Sequence, residues 1–205
     1  ESRLLAPAHP ARAIYQECLE MVAHYLSWEE ADPGVKALLE TLVAEIGRLP
    51  LDEPSDAPRC CVNTELNSGN FLICREGKSS LVDWEKPLLS EPAQDLGHFL
   101  APTTTFWKTD TILTPEQVKA FTAMYIQAID GRMDCSSLSR RLPLFFTVTC
   151  LRGVTWCAMA LREYCQPGRA LTNADTLKKL RAYLEPAFLE NILEQYVRRD
   201  FLKDI

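Results

Sequence analysis

Histidine and glycine are both scarce in this 205-residue chain, at three and eight residues, and none of its eight cysteines forms a Cys-x-x-Cys pair. Zinc sites are built from such clusters, so their lack argues against one. No Gly-x-Gly-x-x-Gly occurs. The one Gly-Lys-Ser, Gly77-Lys78-Ser79, lacks the upstream glycine of a phosphate-binding P-loop and reads as a turn. No uninterrupted apolar run approaches the roughly 18 residues that mark a transmembrane helix, so no membrane partner is expected. The first residues, Glu1-Ser2-Arg3-Leu4-Leu5, carry neither a secretory signal nor a starting Met, which points to a processed chain or a fragment. Positive charge is the minority: 22 Lys and Arg against 28 Asp and Glu give a net charge of -6. That balance argues against nucleic acid as a main partner and suits a cationic or neutral small molecule.

The rest of the composition is that of a globular protein long enough for one domain with a sizeable core. Several cysteines sit in apolar contexts, as in Phe71-Leu72-Ile73-Cys74 and Trp156-Cys157-Ala158-Met159. They read as free thiols in a reducing, cytoplasmic setting.

Apolar spacing of three and four predicts helices through most of the chain. Ile14, Cys18, Met21, Val22 and Tyr25 mark the first, over Ala11 to Trp28. Asp32 before Pro33 caps a second that ends near Gly47. Leu49 to Arg59, with three prolines and three acids, is an extended linker. Ala93 to Leu100 is a short helix, Thr114-Pro115-Glu116-Gln117 opens another that runs to Ile129, and Ser137 to Tyr164 is apolar enough to lie centrally. Pro143 sits in its first turns or breaks it, and Gln166-Pro167-Gly168 ends it. Arg152 in that setting calls for a carboxylate partner. Asn173 or Asp175 starts the next helix and Pro186 the last, with Arg198, Arg199 and Lys203 near its end.

One stretch breaks the pattern. Thr64 to Asn70 is too polar for a core element and reads as a loop. Phe71-Leu72-Ile73-Cys74 and Ser80-Leu81-Val82 are short apolar strands around Arg75-Glu76-Gly77-Lys78, a hairpin signal. A turn centred on Glu76-Gly77 pairs Phe71 with Val82, Leu72 with Leu81, and Asn70 with Asp83. Opposed Cβ atoms lie about 5 Å apart. An amide oxygen and a carboxylate then meet at one end, a spacing that suits Mg²⁺, which takes few protein ligands. Glu65, in the preceding loop, reaches the same place. Lys86 to Pro92 reads as another loop.

Glu65-x-x-x-x-Asn70, then Leu81-Val82-Asp83-Trp84-Glu85, then Glu91-Pro92-Ala93-Gln94-Asp95-Leu96 resembles the catalytic core of the aminoglycoside phosphotransferase and choline kinase family. The specific motifs run from about Leu51 to Leu100. The resemblance implies a mainly α fold with a small central β-hairpin (α+β), the helical C-terminal lobe of the protein-kinase-like fold, filling residues 1–205 as a single domain. It implies ATP and Mg²⁺ as cofactors and a small-molecule hydroxyl acceptor as partner. Asp83 and Asn70 match the metal and nucleotide ligands, Glu65 the catalytic acid that orients the acceptor hydroxyl, and Asp95 a buried acid that ties its helix to the catalytic loop. Thr103-Thr104-Thr105-Phe106-Trp107 falls near the acceptor pocket of such a fold, or is an aromatic anchor with solvent-facing threonines.

Two positions depart from the family pattern. Asn63 stands where it has His, and Glu65 where it has Asp. Glu is longer by one methylene, about 1.5 Å, and misplacement on that scale can cost roughly 100-fold in rate. The nucleotide lobe with its glycine-rich loop and Lys is also missing from the chain. The function implied is an ATP-dependent phosphotransferase seen as its C-terminal lobe; the alternative is a catalytically silent kinase-like binding or regulatory module. A third reading, an all-helical scaffold with a chance motif match, predicts no hairpin at residues 70 to 83. Sugar, amino alcohol and aminoglycoside acceptors all stay open.

Overall fold

A computed structural model describes residues 4–166, 168 and 173–199. Pro167 and Lys203, used above as helix-end signals, lie outside the described residues. Helix makes up 61% of the chain and strand 6%, so the class is α-rich α+β.

The centre is α6, Leu138–Tyr164, with buried residues on every face of its middle turns, from Phe145 through Leu151 to Ala158. By length and composition it could cross a membrane, but 67% of its apolar window is buried inside the protein. Its apolarity is that of a core helix. Pro143 lies inside it, in the second turn, and does not end it.

Helix α1, Pro10–Leu26, lies along α6. It buries Ile14, Cys18, Val22 and Tyr25, the stripe expected from the spacing. Helix α2, Pro33–Gly47, starts where expected: the Asp32 carboxylate accepts the Gly34 and Val35 N–H groups. Helix α3, Pro92–Leu100, packs on another side of α6. Their approach is close because Gly97 carries no side chain; a Cβ there would lie 2.9 Å from the Phe146 backbone nitrogen.

Helix α4, Pro102–Thr109, follows α3 after one extended residue. The threonines do not face solvent. Thr103 and Thr104 are buried, and Thr103 crosses α6 opposite Gly153, where a Cβ would clash at 2.4 Å. Helix α5, Pro115–Ile129, carries the full Thr114–Gln117 capping box. Asn173, not Asp175, caps α7, Ala174–Tyr183, by accepting from Asp175 and Thr176. Pro186 opens α8, Pro186–Asn191, which continues as a π-helical segment, Ile192–Arg198.

The strands form two small antiparallel sheets, one more than the sequence suggested. β1, Cys60–Val62, pairs with β4, Leu88–Ser90, and Leu5 bridges Leu88 in parallel. Lys86 to Pro92 is therefore not simply a loop. β2, Phe71–Leu72, and β3, Ser80–Leu81, form the expected hairpin. Its register is shifted by one: Phe71 pairs with Leu81 and Leu72 with Ser80. The connection from Ile73 to Ser79 is a wide loop, not a tight turn, so sequence symmetry about Gly77 did not set the pairing.

Glu91, at the end of β4, is fully buried and meets Arg141 of α6 in a two-pronged ion pair, with 2.8 and 2.9 Å bonds. The pair locks the sheet and α3 to the central helix. Replacing Arg141 alone by Met leaves the Glu91 charge buried and is expected to cost about 3–5 kcal/mol. Urea unfolding checks this; a loss near zero would remove the pair from the account of the fold.

Candidate functional site

Residues 62 to 70 form a loop whose shape is imposed from outside. The Asp95 carboxylate, in the first turn of α3, accepts the Asn63 N–H at 2.7 Å and the Thr64 N–H at 2.9 Å. Burial pushes the Asp95 pKa up, and the two backbone donors work against that rise. Thr64 itself stands at φ 72, a left-handed conformation that a β-branched residue rarely adopts. Its hydroxyl donates to the Lys86 carbonyl and helps to hold the strain.

Asn63, the position where the family pattern has His, is buried and bridges two segments. Its amide nitrogen donates to the Asp83 carbonyl at 2.7 Å, and its amide oxygen accepts the Glu65 N–H at 3.1 Å. This role was not legible from the sequence, where Asn63 registered only as a departure.

Asn70 and Asp83 do meet, but not as cross-strand partners. The Val82 N–H donates to the Asn70 carbonyl at 3.0 Å, which makes Val82 the backbone neighbour. Asp83 then turns out of the extended conformation to φ 65. That turn brings its carboxylate back, and the Asn70 amide nitrogen donates to it at 3.4 Å. The same amide nitrogen donates to the Glu65 carbonyl at 3.2 Å. The Asn70 amide thus turns its nitrogen, not its oxygen, toward the Asp83 carboxylate. The pair of oxygens expected from the sequence is therefore not formed: a hard cation beside Asp83 would need the Asn70 amide turned over to offer its oxygen. Among the described residues no group of three or more His, Cys, Asp or Glu converges on a metal position.

Glu65 points the other way. Its carboxylate helps line a cleft of about 860 Å³ bounded by α1, α4 and α6. Arg152 of α6 reaches it, Nη2 to Oε1 at 3.4 Å, and its Nε lies 3.4 Å from Glu17 of α1. The carboxylate expected for Arg152 is thus a shared pair. The cleft also exposes Trp107 and Trp156, whose rings meet edge to face at 5.5 Å. Thr103, Thr104 and Trp107 of the threonine-rich segment all line it. Neither Trp156 nor His98 stood out in the sequence as a site residue; a spacing of four from Arg152 was the signal available for Trp156.

Comparisons with family models, curated proteins and solved structures find no match to this chain. Geometry alone bears on what the site does. It offers the Asp83 carboxylate beside the Asn70 amide and, separately, a roomy cleft lined by Glu65, the Asn70 amide nitrogen tying the Glu65 carbonyl to Asp83.

His98 lines the same cleft. Burial first, and the Arg152 charge second, push its imidazole down from 6.5 to about 3. The unfolded chain therefore takes up the proton first as the pH falls. His98 contributes fully to stability above 6.5, and that contribution is lost as the pH drops toward 3. His98→Gln is expected to flatten the acid limb of a stability–pH profile measured between about pH 7 and about pH 4. An unchanged limb would place the acid sensitivity elsewhere.

Proposed function

We propose that the chain is the helical lobe of an ATP-dependent small-molecule kinase of the aminoglycoside phosphotransferase-like kind, moving the γ-phosphoryl group to a substrate hydroxyl. One observation carries this reading. The Asn70 amide nitrogen donates to both the Asp83 carboxylate and the Glu65 carbonyl, which ties the candidate cation ligand to the loop whose Glu65 side chain enters the large cleft. The acceptor lies in the cleft and the phosphates at the rim.

Asp83, and Asn70 with its amide turned over, would hold Mg²⁺, which would supply neutralising charge to the phosphates. Glu65 accepts a hydrogen bond from the acceptor hydroxyl, aims its oxygen at the rim, and takes its proton as the oxygen attacks. Arg152 steadies the Glu65 carboxylate against the cleft wall. The second lobe that such an enzyme needs for the nucleotide is not among the described residues. The hairpin suits contact with one: Leu72, Ile73 and Trp84 are 55%, 75% and 45% exposed. The eight cysteines, all free thiols, suit a reducing cytoplasm.

A second reading is favoured by the Arg152–Glu65 pair, which gives the carboxylate a cationic partner in place of a substrate. A catalytically silent binding or regulatory module would keep this architecture without turnover. ATP turnover by the intact protein with a panel of hydroxyl-bearing metabolites separates the two. Asp83→Ala is expected to lower kcat by roughly 100-fold or more, and Glu65→Gln by about 100-fold. Undiminished turnover in Asp83→Ala would sink the kinase reading, and a wild-type protein that phosphorylates no acceptor would leave the silent module.

A further inference from the structure

Charge on the cleft wall is balanced in an unusual way. Three carboxylates, Glu17, Glu20 and Glu65, share the wall with three cations, Lys86, Lys108 and Arg152. Two of the carboxylates are already taken: Arg152 lies 3.4 Å from both Glu17 and Glu65. Among the described residues that leaves Glu20 as the wall carboxylate without a salt bridge, and Lys86 and Lys108 likewise. His98, the remaining titratable nitrogen on the wall, is held neutral by its surroundings.

The aromatic corner adds a second constraint. Trp107 and Trp156 stand at 87° to each other, and Trp156 is 43% exposed. Such a corner binds either a cation or the apolar face of a ring. Here a cation is discouraged by its neighbours. Arg152 lies one helical turn from Trp156 in α6, on the same face, whereas the Lys108 side chain reaches to Gly69. An incoming ammonium would meet resident positive charge at the corner and find little free carboxylate to replace its hydration. Thr104, Thr149 and His98, also on the wall, offer neutral polar groups suited to hydroxyls.

We propose that the cleft beside Glu65 takes a neutral polyhydroxylated ring, a sugar or polyol without amino or acidic groups, with its C–H face on the Trp107–Trp156 corner. That this ligand is a phosphoryl acceptor rests on the kinase reading; that it binds does not. The proposal narrows the acceptor from the three classes left open by the sequence to the uncharged one.

The test is calorimetric titration of the intact protein, without nucleotide, with matched sets of pentoses, hexoses and inositols. Each neutral member is paired with its amino and its uronic-acid counterpart, at a pH where the amine is charged. The neutral member of at least one set is expected to bind about tenfold more tightly than both charged partners. Trp156→Ala is expected to weaken it by roughly 3- to 10-fold, with Trp156→Phe recovering part of the loss. Preference for an amino or acidic member, or binding by no member at millimolar concentration, overturns the proposal. Transfer from ATP is measured separately on the same sets. Neutral-sugar binding without transfer would keep the ligand class and remove the kinase reading. Transfer to amino sugars alone would keep the kinase reading and remove the ligand class.

Discussion

The Asp95 carboxylate, accepting two consecutive backbone N–H groups, is the contact on which the site depends. Those donors belong to Asn63 and Thr64, at the end of β1. A loop this polar has no apolar stripe to orient it, so an outside acceptor must set its path. Once Thr64 is held at φ 72, the chain turns and Glu65 leaves toward the cleft. The strain of such a conformation is of order 1–3 kcal/mol. The Asp95 bonds and the Thr64 hydroxyl bond to Lys86 offset it locally.

From there the order passes through amides. Asn63 reaches across to the Asp83 carbonyl, Asn67 and Asn70 both donate to the Glu65 carbonyl, and Asn70 goes on to the Asp83 carboxylate. An amide donates and accepts at once, which lets one side chain join two backbone segments. The asparagine and the longer Glu65 sit side by side in this network, and the Glu65 N–H is bound to the Asn63 side chain.

Helix α6 supplies the other half. Near its start Arg141 holds the buried Glu91, and three turns later Arg152 faces the cleft between Glu17 and Glu65. The first pair is dry and structural; the second is reachable by solvent and ligand. Both arginines come from one apolar run, and their burial differs because β4 ends against one and the cleft opens over the other. The same openness leaves Trp156 partly exposed while its neighbours Val154 and Cys157 are sealed.

Local rules carried much of the fold into view. Helix periodicity placed α1, α2, α5 and α6 with ends correct to a few residues, and side-chain caps at Asp32, Thr114 and Asn173 act where their chemistry demands. The acid-bearing start of α3 and the proximity of Asn70 to Asp83 were also legible, because residue type and spacing constrain them. What the sequence could not decide were pairings between distant segments. β1 and β4 are three residues each, too short to signal a strand, and only the fold brings Cys60 opposite Ser90. The hairpin register comes with a wide connection and is followed by a left-handed Asp83, neither of which an alternation of apolar residues encodes. Arg152 announced that it needed a carboxylate, but its partners lie 135 and 87 residues away in sequence and were chosen by packing. Sequence alone thus determined the helices and the identity of the polar residues at the loop. Tertiary structure decided which of them face each other, because hydrogen bonds and ion pairs depend on distance in space and not on spacing along the chain.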